Sequence, residues 1–126
     1  SAVDTDFTAR LLDIYPPSED YPSGYHLNLV DSIVRARYRN GFEKAEFMEP
    51  GQVYEVEFDL TPISNLFKVG HRIRLDISSS NFPRFDVNPN TGEPMGRHTR
   101  VIVAQNTVYL DRERPSYVVL PTIPQG

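Results

Sequence analysis

The chain has 126 residues, with 13 basic and 17 acidic side chains and a formal net charge of −4. This charge argues against a nucleic-acid partner, since nucleic-acid-binding domains usually present a basic surface. The absence of cysteine excludes disulfides and zinc–thiolate sites. No segment approaches the ~20 apolar residues of a membrane span, which argues against a membrane partner.

The first 40 residues are predicted to contain three strands. In residues 7–15 the apolar phase slips at Leu11 and Leu12, and either a bulge or burial on both faces would explain the slip. Residues 16–24 are rich in Pro, Ser and Gly, which predicts a surface loop. Residues 25–30 are predicted as a short strand that leads into another at residues 33–39.

Residues 33–39 place arginines on one face of their strand, and residues 52–60 place carboxylates on one face of theirs. If the two strands are neighbours, the two charged rows would pair across the sheet, but the linking segment could equally cross to a second sheet. The arginine row is most simply a solvated or ion-paired sheet face. The row consists of Arg35, Arg37 and Arg39, and the carboxylates are Glu55, Glu57 and Asp59.

Further strands are predicted in the second half of the chain, on both sides of a long loop. One turn of helix is expected in residues 61–69, beginning at Pro62. Strands are predicted at 73–79, 100–110 and 116–120, with a loop at 81–99 and a charged turn at 111–115. About six or seven short strands in all, separated by turn signals, indicate an all-β chain with a β-sandwich fold.

No catalytic or metal-binding constellation stands out. The chain lacks a Gly-x-Ser-x-Gly nucleophile motif, and its three histidines are dispersed. His71 is interpreted as a hydrogen-bonding turn residue, and His26 and His98 as solvated loop residues. Asp86, Asn88 and Asn90 have the spacing that opens a calcium loop. Since its Gly and its final acidic residue are missing, side-chain-to-backbone turns are the favoured interpretation.

The loop after residue 80 is the candidate contact site. Its aromatic and basic side chains either pin the loop to its own sandwich or pack against another domain, because aromatics and Arg are enriched at interface cores. The candidates are Asn81, Phe82, Arg84 and Phe85. Near the start of the chain, Asp4, Thr5 and Asp6 are expected to cap turns or to accept hydrogen bonds from this loop.

Residues 70–92 read GHRIRLDISSSNFPRFDVNPNTG, and this run resembles one protein family closely. It is similar to the C-terminal β-sandwich domain of the cocaine-esterase-like (CocE/NonD) and X-Pro dipeptidyl-peptidase serine hydrolases. Further segments fit the same family and extend the resemblance over nearly the whole chain. They are residues 4–9 with Asp13, residues 33–39, residues 50–55, Pro115 with Ser116, and residues 118–124.

The resemblance implies a jelly-roll β-sandwich of galactose-binding-like fold. Residues 1–126 would form a single domain, the C-terminal portion of that sandwich without its first strands. The domain would be non-catalytic, with no cofactor, and would pack on an upstream α/β-hydrolase domain of the same protein. There it would shape the substrate cleft. If the candidate loop packs against another domain, Asn81, Phe82, Arg84 and Phe85 would lie at this interface. The parent protein would be a bacterial serine hydrolase of esters or amides, expected in the cytoplasm.

Two further expectations follow from the same resemblance. Because the first strands of the family's sandwich are missing, exposed sheet edges would favour a homodimer. The alternative function is an independent carbohydrate- or ligand-binding module, for which exposed aromatic rings are required. The only candidates for such a platform are Tyr15, Tyr21 and Tyr25 around the proline-rich loop.

Overall fold

The computed structural model of the chain describes residues 1–123. Pro124, quoted above with the closing segment, lies outside them. The strands are β1 (Asp6–Tyr15), β2 (Tyr25–Arg35) and β3 (Arg72–Ser78), with a 3-10 helix at Ala36–Tyr38. They form an antiparallel sheet in the order β2-β1-β3. The prediction of an all-β chain is confirmed.

The central strand β1 explains the slipped apolar phase. Leu11 lies opposite Val30, whereas Leu12 lies opposite Asn28, so Leu29 is an extra residue on β2. This is a β-bulge, and it shifts the register between the two strands. Leu11 and Leu12 are both buried, with exposures of 3% and 7%. Both explanations offered by the sequence therefore apply, because a central strand covered on two faces buries consecutive residues.

Strand β2 joins two predicted strands into one and ends earlier than expected. The prediction that residues 33–39 form one strand is wrong beyond Arg35, where the 3-10 helix begins. The Ala36 backbone N–H donates to the Thr5 carbonyl at 2.9 Å, and the Arg37 backbone N–H donates to Asp4 Oδ1 at 2.9 Å. These two bonds turn Arg37 into the protein, where the alternation of a strand would have left it outside.

Strand β3 has the predicted faces, but part of its apolar face is uncovered. Leu75 lies opposite Leu11 and Ile77 lies opposite Ala9, so these side chains share one face of the sheet. Ile73 and Ile77 nevertheless remain 53% and 44% exposed. Within residues 1–123, no second layer fully covers this side of β3.

Several other predicted elements are absent from the described part of the chain. Segments 52–60, 100–110 and 116–120 form no regular strand, and segment 61–69 contains no helical turn. A strand needs a neighbour to complete its hydrogen-bond ladder, and within residues 1–123 these segments make only isolated backbone hydrogen bonds. A single helical turn without packing is unstable. The arginine row does not pair with the carboxylates of residues 52–60, one of the two possibilities that the sequence left open, since Arg35 and Arg37 bind Asp6 and Asp4.

Two local predictions are confirmed: the alternating faces of segment 52–60 and the turn at residues 111–115. In segment 52–60, Tyr54 and Val56 are half-buried while Glu55 and Glu57 are exposed, as the alternation predicts. The charged turn 111–115 is closed by an isolated bridge between Leu110 and Pro115. The faces and the turn of these segments therefore follow from local sequence, whereas their partners do not.

The accessible surface is large for the size of the chain. It measures 9739 Å² for a mass of 14.4 kDa. A compact monomer of that mass exposes about 6,800 Å². The excess is several times the ~800 Å² that one partner buries in a standard protein–protein interface. Much of the apolar surface of this chain is thus available for contact.

Candidate functional site

A buried ion pair joins the start of β1 to the end of β2. Asp6 and Arg35 lie directly opposite each other in the sheet. Arg35 Nε donates to Asp6 Oδ1 at 2.9 Å, and Nη2 donates to Oδ2 at 3.0 Å. The hydrogen bond with the Asp6 carboxylate raises the pKa of Arg35 above its ordinary value. The bidentate geometry holds the guanidinium in one orientation.

A second and more deeply buried pair joins Asp4 to Arg37. Arg37 Nε and Nη2 each lie 2.8 Å from Asp4 Oδ2, and the two side chains are 7% and 0% exposed. Nη2 also donates to the Glu93 carbonyl at 3.2 Å, and the guanidinium lies 5.0 Å from the centre of the Phe47 ring. Arg37 therefore connects the N-terminal segment to the loop around residue 93. The ion-paired interpretation of the arginine row holds for Arg35 and Arg37, with Asp6 and Asp4 as partners.

Asn88 bridges the two carboxylates and ties the long loop to them. Its Nδ2 donates to Asp4 Oδ2 at 2.9 Å and to Asp6 Oδ1 at 2.8 Å. Its Oδ1 accepts from the Asn90 backbone N–H at 2.9 Å, a local side-chain turn. This contact supports the turn interpretation over a calcium loop, because the Asn88 amide nitrogen is the group that faces the carboxylates. Residues 1–123 contain no cluster of three or more His, Cys, Asp or Glu placed to hold a metal ion.

His71 and Asp13 form another buried polar pair. His71 Nδ1 lies 2.8 Å from Asp13 Oδ1, and the side chains are 8% and 1% exposed. The Asn65 amide donates to Asp13 Oδ2 at 3.4 Å, and the Tyr15 ring packs 4.2 Å from the imidazole. The His71 backbone N–H donates to Lys68 at 3.0 Å, in keeping with its predicted turn role. His26 and His98 are exposed.

The pair resembles two members of a Ser-His-Asp triad but lacks the third. Among the described residues, no serine hydroxyl hydrogen-bonds to His71. A nucleophile must reach its base within hydrogen-bond distance, and the base must be accessible to substrate. The arrangement therefore fastens the start of β3 to β1. The importance of Asp13 for His71 was missed from the sequence, because nothing local indicates which carboxylate the histidine meets.

The candidate contact loop is attached to the sheet through Asp31. Asn81 Nδ2 donates to Asp31 Oδ2 at 3.4 Å, and Arg84 Nε lies 3.1 Å from Asp31 Oδ1. The second contact is an ion pair by distance, but its geometry does not qualify as a hydrogen bond, so Asp31 Oδ1 is buried without a hydrogen-bond partner in residues 1–123. The role of Asp31 was missed from the sequence, and the loop is held there by weak contacts.

The two aromatic side chains of this loop differ in exposure. Phe82 is 69% exposed, whereas Phe85 is half-buried with the Arg84 guanidinium 5.6 Å from its ring centre. The Phe85 backbone N–H donates to the Asn81 carbonyl at 3.2 Å, which closes the loop on itself. The four predicted residues therefore lie on one short turn, with the polar pair facing β2 and Phe82 facing outward.

The three tyrosines considered for sugar binding also lie together. Tyr21 and Tyr25 stack with ring centres 5.0 Å apart, and Tyr15 meets each of them edge-on. Stacking against each other uses one face of both exposed rings. The cluster therefore offers less free aromatic surface than three separate rings would.

The described residues thus define an all-β domain with buried ion pairs, an outward-facing aromatic loop and no assembled nucleophile. None of their helices is long and apolar enough to cross a membrane. Residues 1–119 match the family described as the X-Pro dipeptidyl-peptidase C-terminal non-catalytic domain. The chain belongs to this family.

Proteins similar to this chain are hydrolases several times its length. Cocaine esterase from Rhodococcus sp. (strain MB1 Bresler) is 44% identical over 125 residues, which cover 98% of this chain and 21% of the esterase. An α-amino acid ester hydrolase of known structure has a TM-score of 0.70 and 34% identity, over 75% of this chain and 16% of that one. An aminopeptidase from a Thaumarchaeota archaeon of marine sediment has a TM-score of 0.69 and 36% identity, again over 75% of this chain and 16% of that one.

Proposed function

We propose that this chain is the non-catalytic C-terminal part of a serine hydrolase that cleaves esters or amides. In this proposal the catalytic residues belong to an upstream α/β-hydrolase domain of the same protein. One observation carries the proposal: residues 1–119 match a non-catalytic domain family, while the chain spans only about a fifth of the cocaine esterase that it resembles. The similar proteins are an esterase, an ester hydrolase and an aminopeptidase, which act on those two bond types.

The activity of the 126-residue chain tests the first part of this proposal. We expect no hydrolysis of a p-nitrophenyl acyl ester or an X-Pro-p-nitroanilide above the buffer rate, even at high protein concentration. The reason is that His71 and Asp13 are buried and no serine hydroxyl of residues 1–123 hydrogen-bonds to them. Turnover that a serine-directed phosphonate abolishes would contradict the proposal, since it would require a nucleophile within this chain.

We also propose that residues 81–85 pack against the catalytic domain. Phe82 supports this, because a 69% exposed aromatic ring next to a cationic side chain has the composition of an interface core. Asn81 and Arg84 would position the loop, since both reach Asp31 on β2.

Two matched substitutions in the full-length protein test the interface. Phe82→Ser is expected to lower the free energy of unfolding by roughly 1.5–3 kcal/mol, the free energy that burial of a Phe side chain contributes. It is also expected to reduce kcat/KM. Phe42→Ser is the control, because Phe42 is 88% exposed and lies far from the loop in sequence. Thermal unfolding and ester hydrolysis are measured for both variants. Equal effects of the two substitutions would contradict a specific role for Phe82.

For the chain by itself, we propose association into a homodimer. Strands β2 and β3 are the two edges of the sheet, so each has one side with unpaired backbone groups. The uncovered Ile73 and Ile77 lie on the edge strand β3. Light scattering coupled to gel filtration at micromolar concentration should give twice the mass of one chain. A monomeric mass would contradict the dimer without affecting the proposed contact with the catalytic domain.

A further inference from the structure

A cavity opens where the proline-rich loop meets the end of the sheet. Its volume is about 380 Å³, within the ~300–1,000 Å³ of typical small-molecule sites. The other notable hollow, beside Val3 and Phe47, has only about 180 Å³ and falls below that range. The cavity at the proline-rich loop is therefore large enough to hold a small organic molecule.

Its walls combine an apolar floor with two basic side chains. Ile14 on β1 lies opposite both His26 on β2 and Arg72 on β3, so the three side chains share one face of the sheet. Neighbouring strands are ~4.8 Å apart, so His26 and Arg72 stand about 10 Å from each other across Ile14. Pro16 and Pro17 add apolar surface at the rim. The gap suits a ring-sized apolar group.

The charges around the cavity favour an anion. Arg72 has no ion-pair or hydrogen-bond partner among residues 1–123, whereas Arg35 and Arg74 bind Asp6 and Asp76. No carboxylate belongs to the described residues that line the cavity. A free guanidinium beside an apolar floor is suited to bind a carboxylate through paired N–H donors.

We propose that this cavity binds a small organic carboxylate. Its apolar body would rest on Ile14 and the two prolines, and its carboxylate would bind Arg72. His26 and the Ser23 hydroxyl line the same cavity and supply further hydrogen-bonding groups. This site is separate from the contact loop at residues 81–85, and it requires no nucleophile.

Cyclohexanecarboxylate and its neutral amide test the proposal by calorimetric titration of the 126-residue chain. The acid should bind with a Kd on the order of 1 mM, which is reasonable for so few atoms. The amide should bind at least about tenfold more weakly, because it lacks the charge that Arg72 would pair with. Equal binding of the acid and the amide, or no saturation by the acid up to about 10 mM, would overturn the proposal.

Two arginine variants locate the binding site. Arg72→Gln should weaken binding of the acid about tenfold or more, because the paired N–H donors are lost. Arg74→Gln should leave binding unchanged, since Arg74 is on the same strand and face but is bonded to Asp76 at 2.6 Å and does not line the cavity. Equal effects of the two substitutions would show a nonspecific charge effect and overturn the proposal.

Amide chemical shifts of the unaltered chain give an answer even if a variant fails to fold. The acid should shift the amide resonances of Ser23, His26, Gly70 and Arg72, which surround the cavity. Shifts confined to other parts of the chain would place the ligand elsewhere and overturn the proposal.

Discussion

The two ends of the chain use the same pair of residue types in different surroundings. Near the N-terminus, Asp4 and Arg37 form an ion pair that is almost fully buried. Near the C-terminus, Asp111 and Arg114 form a pair at 2.9 Å, against 2.8 Å for the first pair, but their side chains are 43% and 46% exposed. The first pair links segments far apart in sequence, whereas the second lies within one turn. Burial and connectivity, more than contact distance, should decide what each pair contributes to stability.

Removing one carboxylate from each end gives the largest expected contrast. Asp4→Ala should destabilise the chain by about 3–5 kcal/mol, because it leaves the Arg37 charge buried without its partner. Asp111→Ala should produce a change too small to resolve, since its pair is exposed to solvent. Urea denaturation followed by circular dichroism measures both variants. A loss for Asp111→Ala comparable with that for Asp4→Ala would refute the contrast.

A similar contrast is expected between two leucines. Leu11→Ala should lower the free energy of unfolding by about 2–5 kcal/mol, because Leu11 is 3% exposed in the central strand and its truncation leaves a cavity. Leu110→Ala should change stability by less than about 0.5 kcal/mol, since Leu110 is 79% exposed. Both values come from denaturant titrations. If Leu110→Ala proved equally damaging, residues 100–110 would have to be packed in solution, for instance in a homodimer.

The sequence was informative about local pattern and much less about partners. The slipped phase at Leu11 and Leu12 indicated both the bulge and the two-sided burial of β1, since each follows from side-chain alternation. The pairing of Arg37 with Asp4 could not be predicted from alternation, because backbone hydrogen bonds from Ala36 to Thr5 and from Arg37 to Asp4 end the strand early. Segment 52–60 kept its predicted faces, but its backbone has no neighbouring strand in residues 1–123.

The candidate site shows the same division. The contact loop could be chosen because aromatic and basic residues stand together in a Pro-containing segment, and the four side chains do lie on one turn. Its attachment to Asp31 could not be predicted, because Asn81 and Asp31 are 50 residues apart in sequence. Likewise, Asn88 was noticed for its spacing with Asp86 and Asn90. Its bridging of Asp4 and Asp6 depends on chain segments brought together by folding.

Alanine substitutions at two glycines should distinguish the cost of side-chain crowding from the cost of backbone strain. Gly92 and Gly96 both have positive φ, at 78° and 72°. An added Cβ at Gly92 would lie 3.1 Å from the Phe47 ring and 3.2 Å from Val3, whereas at Gly96 it would meet nothing within 4 Å. Gly96→Ala should therefore lose about 1 kcal/mol from strain alone, and Gly92→Ala about 1–3 kcal/mol more from crowding. Equal losses in thermal unfolding would mean that Phe47 and Val3 move aside freely.

The smallest expected effects concern two carboxylates with lowered pKa values, the half-buried Glu93 and the exposed Asp111. Hydrogen bonds from Thr99, and then from Thr91, hold the pKa of Glu93 below its ordinary 4.5. A hydrogen bond from Arg114 holds the pKa of Asp111 below its ordinary 3.8. In both cases the ionised form is favoured by folding. The associated stability is therefore present above the ordinary pKa and is lost as pH falls through the lowered value.

Salt should distinguish these two carboxylates. The partners of Glu93 are neutral hydroxyls, whereas the partner of Asp111 is a cation in an exposed pair. At about 1 M NaCl the screening length falls to about 3 Å, so the pKa of Asp111 should return toward its ordinary value while that of Glu93 stays lowered. Carboxyl carbon resonances titrated at low and high salt measure both groups. A Glu93 pKa that moved with salt as much as that of Asp111 would indicate that nearby charge, rather than the threonine hydroxyls, lowers it.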